Sequence, residues 1–463
     1  MNEAHWLTAA EIGSAYAAGK LAPVELVSTL LARIEKQDRR INAFIDVGAE
    51  RALDDARSAE KEIRGGRIRG PLHGVPIGLK DIFDVAGLRT SCHSKIRLEH
   101  VARADAAVVS RLRGAGAVLL GKLALHEFAF GGPAFDLPFP PARNPWNLGH
   151  HPGGSSSGSG AAVASGMVPA ALGTDTGGSV RNPAGACGLV GLKPTYGLVS
   201  RRGVFPLSYT MDHVGPLTRT VRDTALILEA IAGYDSADAG SAPASASDFT
   251  RDLDRGVRSL RIGFVRHFHE QDMPADPEMA AGIEQTLATF KREGALISDV
   301  TLPPLSEIAG VHRVIMMGET YAVHEKWLKE QPGNYAAATR RKLLPGAFLS
   351  AGDYVQAQRR RREIIAAVEN AFADVDVLLT ANAMDTACRI DDEESIARTY
   401  PRQARAPFNL TGHPAIAVPA GFSKAGLPLS IQLVGRYFDD ATLLRTANAY
   451  ERAAGHIGRR PPL

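Results

Sequence analysis

Residues 153–197 read GGSSSGSGAAVASGMVPAALGTDTGGSVRNPAGACGLVGLKPTYG. Two turns dense in Gly and Ser, residues 153–160 and 174–179, flank a small-residue segment too apolar for a linker. Inside it, Val168-Pro169-Ala170-Ala171-Leu172-Gly173 is a short apolar run bounded by turn residues, the pattern of a buried strand. The run Asp175-Thr176-Gly177-Gly178-Ser179 can aim successive N–H groups at one point, because glycine tolerates the dihedrals this needs. Such a nest suits a developing negative charge, either a phosphate or the oxyanion of a tetrahedral intermediate.

The same punctuation recurs outward. Pro76-Ile77-Gly78-Leu79-Lys80 and Ala117-Val118-Leu119-Leu120-Gly121 lie upstream. Ile262–Val265, Val377–Thr380, Ala415–Val418 and Ser430–Val434 lie downstream. Helical patterns alternate with them. Thr8-Ala9-Ala10-Glu11 is a capping box. Pro23 opens a helix that buries Val27, Leu30, Leu31 and Ile34 and runs to about Gln37. Further helices are expected near 277–292 and 439–453, and over most of 304–372. This alternation predicts an α/β fold, a large mixed β-sheet covered by helices on both faces, with a helical insertion. The expected segments are a helical 1–65 packed on the core, a core at 66–235, a linker with further α/β elements at 236–303, the helical pocket insertion at 304–375, and strands with a helix at 376–463. Residues 235–257 are small and polar and read as a surface loop or linker.

Composition removes several function classes. The chain has 463 residues, 53 Lys+Arg and 50 Asp+Glu, a net charge of +3 that leaves no nucleic-acid footprint. Cys92, Cys187 and Cys388 are odd in number and lack CxxC spacing, which argues for a reducing cytoplasm rather than a disulfide framework. The N-terminus lacks the apolar core of a secretory signal, and no stretch approaches the ~18 apolar residues of a membrane span.

Which anion the nest serves follows from what is missing. Neither turn carries the Lys of a P-loop, and neither Gly-x-Gly meets a third Gly at dinucleotide-binding spacing. Gly154-Ser155-Ser156-Ser157-Gly158 matches a nucleophile elbow centred on Ser156, but the preceding NPWNLGHHPG makes a poor strand. A serine also needs a base. His150-His151 lies nearby, and Lys80 ends an apolar run where burial can leave a Lys neutral and able to act as one. His126-Glu127 lacks the second His of a zinc helix. The run Arg359–Arg362 reads as a solvated helix face, Cys187 as a packed thiol, and Asp175 with Arg181 as a brace for the turn.

Several segments together resemble the amidase signature family of Ser–cis-Ser–Lys hydrolases: GVPIGLKD (74–81), GKLALHEFAFG (121–131), NPWN (144–147), residues 153–197, DHVGPLTRTV (212–221), and FNLTGHPAIAVPAGF with GLPLSIQLVGR (408–436). The resemblance implies Lys80 as base, Ser155 as bridging serine after a cis peptide bond, and Ser179 as nucleophile. Thr176, Gly177, Gly178 and Ser179 would supply the oxyanion hole. Ser157 departs from the Gly common in the family. Phe130, Gly131 and Gly132 fall in a segment that borders substrate, and no metal or organic cofactor is implied. The expected substrate is a small amide, cleaved through an acyl-enzyme. The alternatives are carbamate or urea hydrolysis and a partner-dependent amidotransferase-like subunit. That subunit branch places an acidic residue seven positions before the Asn that matches Asn409. Here that position is Arg402, which disfavours glutamine; Arg402 either meets a carboxylate-bearing substrate or faces water. Nothing in the composition demands a homodimer, the assembly common among such enzymes.

Overall fold

The computed structural model describes residues 3–244 and 248–463. Among them, eleven strands build one mixed sheet: β1 Phe44–Val47, β2 Pro76–Lys80, β3 Val118–Leu123, β4 Ala170–Asp175, β5 Val190–Lys193, β6 His213–Thr218, β7 Arg261–Phe264, β8 Leu296–Asp299, β9 Val377–Ala381, β10 Ala415–Phe422 and β11 Pro428–Gly435. Their order across the sheet is β1-β3-β2-β4-β6-β5-β10-β11-β9-β7-β8. Strands β3, β2 and β4 run parallel, with Ile77 beside both Leu119 and Ala170. Strand β6 returns antiparallel, pairing His213 with Asp175. Every residue of β2, β3 and β4 is buried, as expected for strands covered on both faces. The apolar residues form one contiguous cluster running from Ala4 to Tyr450.

The parallel triplet positions the site. Parallel strands end on the same side, and ligands in such sheets sit outside those carboxyl ends. Lys80 closes β2, Asp175 closes β4, and the segment leaving β3 passes through Phe130.

The first 65 residues hold more than helices. Thr8 and Glu11 cap the helix Ala9–Ala17 reciprocally. The helix Pro23–Ile41 passes the expected end and stops where Asn42 turns left-handed at φ +57°. The Asp38 carboxylate then accepts from the N–H groups of Ala43 (2.7 Å) and Phe44 (3.2 Å). This launches β1 as an antiparallel edge strand against β3. The charged tail of that helix hides the strand from a reading of periodicity.

Residues 235–257 are also more tied down than a linker. Asp235 and Asp238 pair with Arg202 and Arg201. Phe249, Leu253 and Val257 are buried around a short turn, Leu253–Arg255. Residues 245–247 of that stretch lie outside the described residues. The helical insertion comprises Leu305–Glu330, Ala337–Leu343 and Ala351–Ala371. One expectation fails within it. Arg361 does not face water, because its guanidinium donates to the carbonyls of Leu410 (2.6 Å) and Thr210 (3.0 Å) and to Thr210 Oγ1 (2.9 Å). Among the described residues no helix is long and apolar enough to cross a membrane.

The helix Ser157–Ala164 is buried on every side, so its small residues are a packing requirement. A Cβ on Gly158 would lie 2.4 Å from Ala43 O and 2.5 Å from Ala124 N, both backbone atoms that cannot swing aside. Gly158→Ala should therefore destabilise the protein by about 1–3 kcal/mol. A urea titration checks this, and an unchanged midpoint would count against the close approach.

Candidate active site

Lys80 is fully buried, and its only hydrogen-bond acceptors among the described residues are hydroxyls. Its Nζ donates to Ser155 Oγ at 2.8 Å and to Thr174 Oγ1 at 2.7 Å. Burial pulls the ammonium down to about 7, against a weaker opposing pull from the more distant Asp212 and Asp175 carboxylates. The group therefore exchanges its proton near neutral pH. Thr174, on β4 beside β2, was not singled out by the sequence, although the parallel pairing of β2 with β4 places it there.

Ser155 lies just before the helix Ser157–Ala164, and the Gly154–Ser155 peptide bond is cis. Its carbonyl accepts from His126 N at 3.0 Å. Gly154 has no room for a side chain, since a Cβ would meet the His126 ring at 2.2 Å. Ser179 ends the turn after β4 and lines, with Ser155, a cavity of about 380 Å3.

The turn 176–179 is set by Asp175. Its fully buried carboxylate accepts from Arg181 Nη2 (2.8 Å), Arg181 Nε (3.1 Å), Asn409 Nδ2 (2.8 Å), Gly178 N (2.8 Å) and Val180 N (3.1 Å). The Arg181 guanidinium holds this carboxyl far below its ordinary range against the cost of burial. Arg181 also reaches Gln432 Oε1 on β11 at 2.7 Å and Asn409 Oδ1 at 2.6 Å. Asp175 and Arg181 thus brace the turn, and Asn409 and Gln432 complete a brace that crosses the sheet. A Gln inside the run 428–435, apolar apart from Ser430, is the local signal that could have found Gln432, because a buried amide needs partners.

This brace alters the expected donor set. The Gly178 N–H is committed to Asp175, so it does not point into the cavity. The N–H groups of Thr176, Gly177 and Ser179 meet no acceptor among the described residues. His312, from the insertion helix Leu305–Glu330, approaches the same turn: its Nε2 lies 2.9 Å from Thr176 O. A carbonyl only accepts, so Nε2 carries the proton, and burial lowers this imidazole to about 4, keeping it neutral. In a trans peptide the N–H points opposite the carbonyl, so the bond from His312 turns Gly177 N–H away from the insertion helix. Asp212 holds the Thr176 hydroxyl at 2.6 Å.

The remaining expected residues divide. Phe130 and Gly131 line the cavity. Gly132 does not line it, and its space faces Lys342 Nζ at 3.8 Å. Arg402 is turned away, with Nε on Asp385 at 2.7 Å and Nη2 on Pro274 O at 2.6 Å. Position in the chain near Asn409 put Arg402 forward, and its ion pair takes it out of the cavity. Arg405, three residues later, lines the cavity instead. Glu127, buried, accepts from Ser94 Oγ (2.6 Å) and from Ala336 N (3.0 Å), clipping the loop after β3 to the insertion. Next to it Phe128 and Ala129 hold positive φ of +50° and +61°. The Phe128 ring anchors that loop among Phe205, His324, Trp327 and Tyr335.

A family model described as Amidase matches residues 25–444. The A subunit of the glutamyl-tRNA(Gln) amidotransferase of Geobacter sp. (strain M21) is 39% identical over 99% of both chains. The native peptide amidase of Stenotrophomonas maltophilia superposes with a TM-score of 0.86 at 32% identity, over 98% of each chain. A bacterial aryl acylamidase of the amidase signature enzymes superposes with a TM-score of 0.90 at 28% identity, over 99% of each.

Asp175→Asn should cost about 3–5 kcal/mol, because it leaves the buried Arg181 charge without its partner. The carboxyl is depressed on folding, so its contribution is complete above the unfolded value of about 4 and fades as pH falls below it. Urea unfolding at neutral and acid pH checks this: the variant should be weaker at neutral pH and show less further loss on acidification.

Proposed function

The chain belongs to the amidase signature family, and from that premise we propose that it cleaves a carboxylic amide C–N bond through an acyl-enzyme on Ser179. The observation that carries the reading is Lys80, fully buried and 2.8 Å from Ser155 Oγ, beside the cavity that Ser179 lines. Neutral Lys80 takes the proton of Ser155 as Ser155 takes that of Ser179. Ser179 Oγ then bonds to the amide carbon, and the carbonyl electron pair moves onto oxygen. The unpartnered N–H groups of Thr176, Gly177 and Ser179 receive that oxyanion, with His312 holding the Thr176 carbonyl away from it. Collapse of the intermediate breaks the C–N bond, and Ser155 hands a proton to the departing nitrogen. Water repeats the relay on the ester and frees the acid. No step calls on a metal or organic cofactor. The three cysteines are free thiols, in keeping with a cytoplasmic setting.

A second reading is a partner-dependent amidotransferase subunit that releases ammonia from glutamine. The 39% identity to the A subunit of a glutamyl-tRNA(Gln) amidotransferase, across 99% of both chains, favours it. Against it, among the described residues no Asp or Glu lines the cavity to receive an α-ammonium group. A carbamate or urea would use the same relay.

The purified chain should release ammonia or amine from simple amides without a partner. Silence on simple amides with turnover of glutamine would favour the subunit reading. Ser179→Ala and Lys80→Met should each lower kcat by about 10³-fold or more while the protein stays folded. The active form is the deprotonated Lys80, so kcat/KM should rise with pH and level off above a midpoint near 7. A profile flat from pH 5 to about 9 would refute the Lys base.

A further inference from the structure

The cavity beside Ser179 is electrically one-sided. Arg313, Lys342 and Arg405 line it, and among the described residues no carboxylate does. Arg405 decides the matter. It is only 3% exposed, and the nearby carboxylates of Asp175 and Asp385 are held by Arg181 and Arg402. Its Nη1 donates to Asn382 O at 2.9 Å, while its buried Nε has no acceptor among the described residues. Nε itself is covered by Gly178, so Nη2, which meets no acceptor among the described residues, is the donor left to meet a carboxylate oxygen. A buried guanidinium stays protonated and is costly without a counter-charge. Burial lowers Arg405 only to about 10. The group is close to the reacting centre, since a Cβ on Gly178 would lie 2.4 Å from its Nε. Lys342 spends one hydrogen bond on Gly131 O at 2.8 Å, and exposed Arg313 follows His312 on the insertion helix.

We propose that the cavity selects an amide carrying a carboxylate a short chain from the scissile carbonyl, with Arg405 as its principal ligand and Lys342 and Arg313 supplying positive field at the entrance. This rests on the amide-hydrolase reading, and it moves the anion-binding role from Arg402 to Arg405. The cavity is small, and Phe130, Leu207, Met316 and Met317 give its remaining wall an apolar surface for the connecting carbons.

The test compares succinamate with butyramide, which match in length and differ in the terminal carboxylate. The wild-type chain should prefer succinamate at least about tenfold in kcat/KM. Arg405→Met should cut that ratio toward one, and Arg405→Lys should restore part of it. Equal use of both amides by the wild type, or equal loss for both in Arg405→Met, would overturn the proposal. If Arg405→Met does not fold, Lys342→Gln carries the same comparison with a smaller expected shift in the ratio. Calorimetric binding of succinate to Ser179→Ala separates the two layers of inference. Should neither amide turn over, the hydrolase reading fails, yet succinate binding that weakens in the Ser179→Ala/Arg405→Met double variant still supports the anion site. Absence of succinate binding overturns it.

Discussion

The buried carboxylate of Asp175 is the constraint on which the rest of the site depends. One side chain at the end of β4 fastens the following turn through Gly178 N and Val180 N. It also fastens Arg181, six residues on, and Asn409, far along the chain. Through Arg181 the brace reaches Gln432 on β11. A buried ion pair of this kind adds little net stability over an apolar replacement, but breaking it is costly. Its consequence is placement. With Gly178 N–H consumed by the brace, the N–H groups of Thr176, Gly177 and Ser179 are the ones left without an acceptor among the described residues of this turn.

Three lysines end up inside the same sheet, and their different partners show how the fold assigns different chemistry to one residue type. Lys122 on β3 meets Asp81 at 2.7 Å. Lys193 on β5 has, among the described residues, only Pro194 O and the His213 ring, and burial drives it well below its ordinary value. Lys80 meets two hydroxyls, one of them Ser155, and titrates near neutrality. Burial without a carboxylate favours the neutral amine, and of the two lysines so treated Lys80 alone borders the serine that borders the cavity. The cations of the cavity wall follow the opposite rule. Arg405 cannot lose its proton, so its missing counter-charge becomes a demand on the ligand instead.

Much of this architecture was legible along the chain. The strand runs ending at Lys80 and near Leu172 were visible because short apolar segments bounded by Gly and Pro have few alternatives to buried strands. The capping box at Thr8–Glu11 and the helix from Pro277 rest on contacts within a few residues, which local sequence encodes. Strand β1 escaped because it is half-exposed and short, and follows a charged helix end. The inward turn of Arg361 escaped as well, since nothing in four consecutive arginines says which one meets the carbonyls of Thr210 and Leu410.

The sequence by itself determined which residue types are available to the chemistry: the serines of 155–179, the lone Lys closing β2, the glycines whose missing side chains let backbones touch. These are properties of short segments, in which spacing and steric freedom act through neighbouring bonds. Only the tertiary structure decided that Gly178 N–H is spent on Asp175, that His312 reaches the Thr176 carbonyl from the insertion, and that Arg405 rather than Arg402 faces the cavity. The last two outcomes depend on groups brought together from separate parts of the chain, and the first, though only three residues apart, on a carboxylate held in place by the distant Asn409; hydrogen-bond reach and burial, not sequence distance, select the partner.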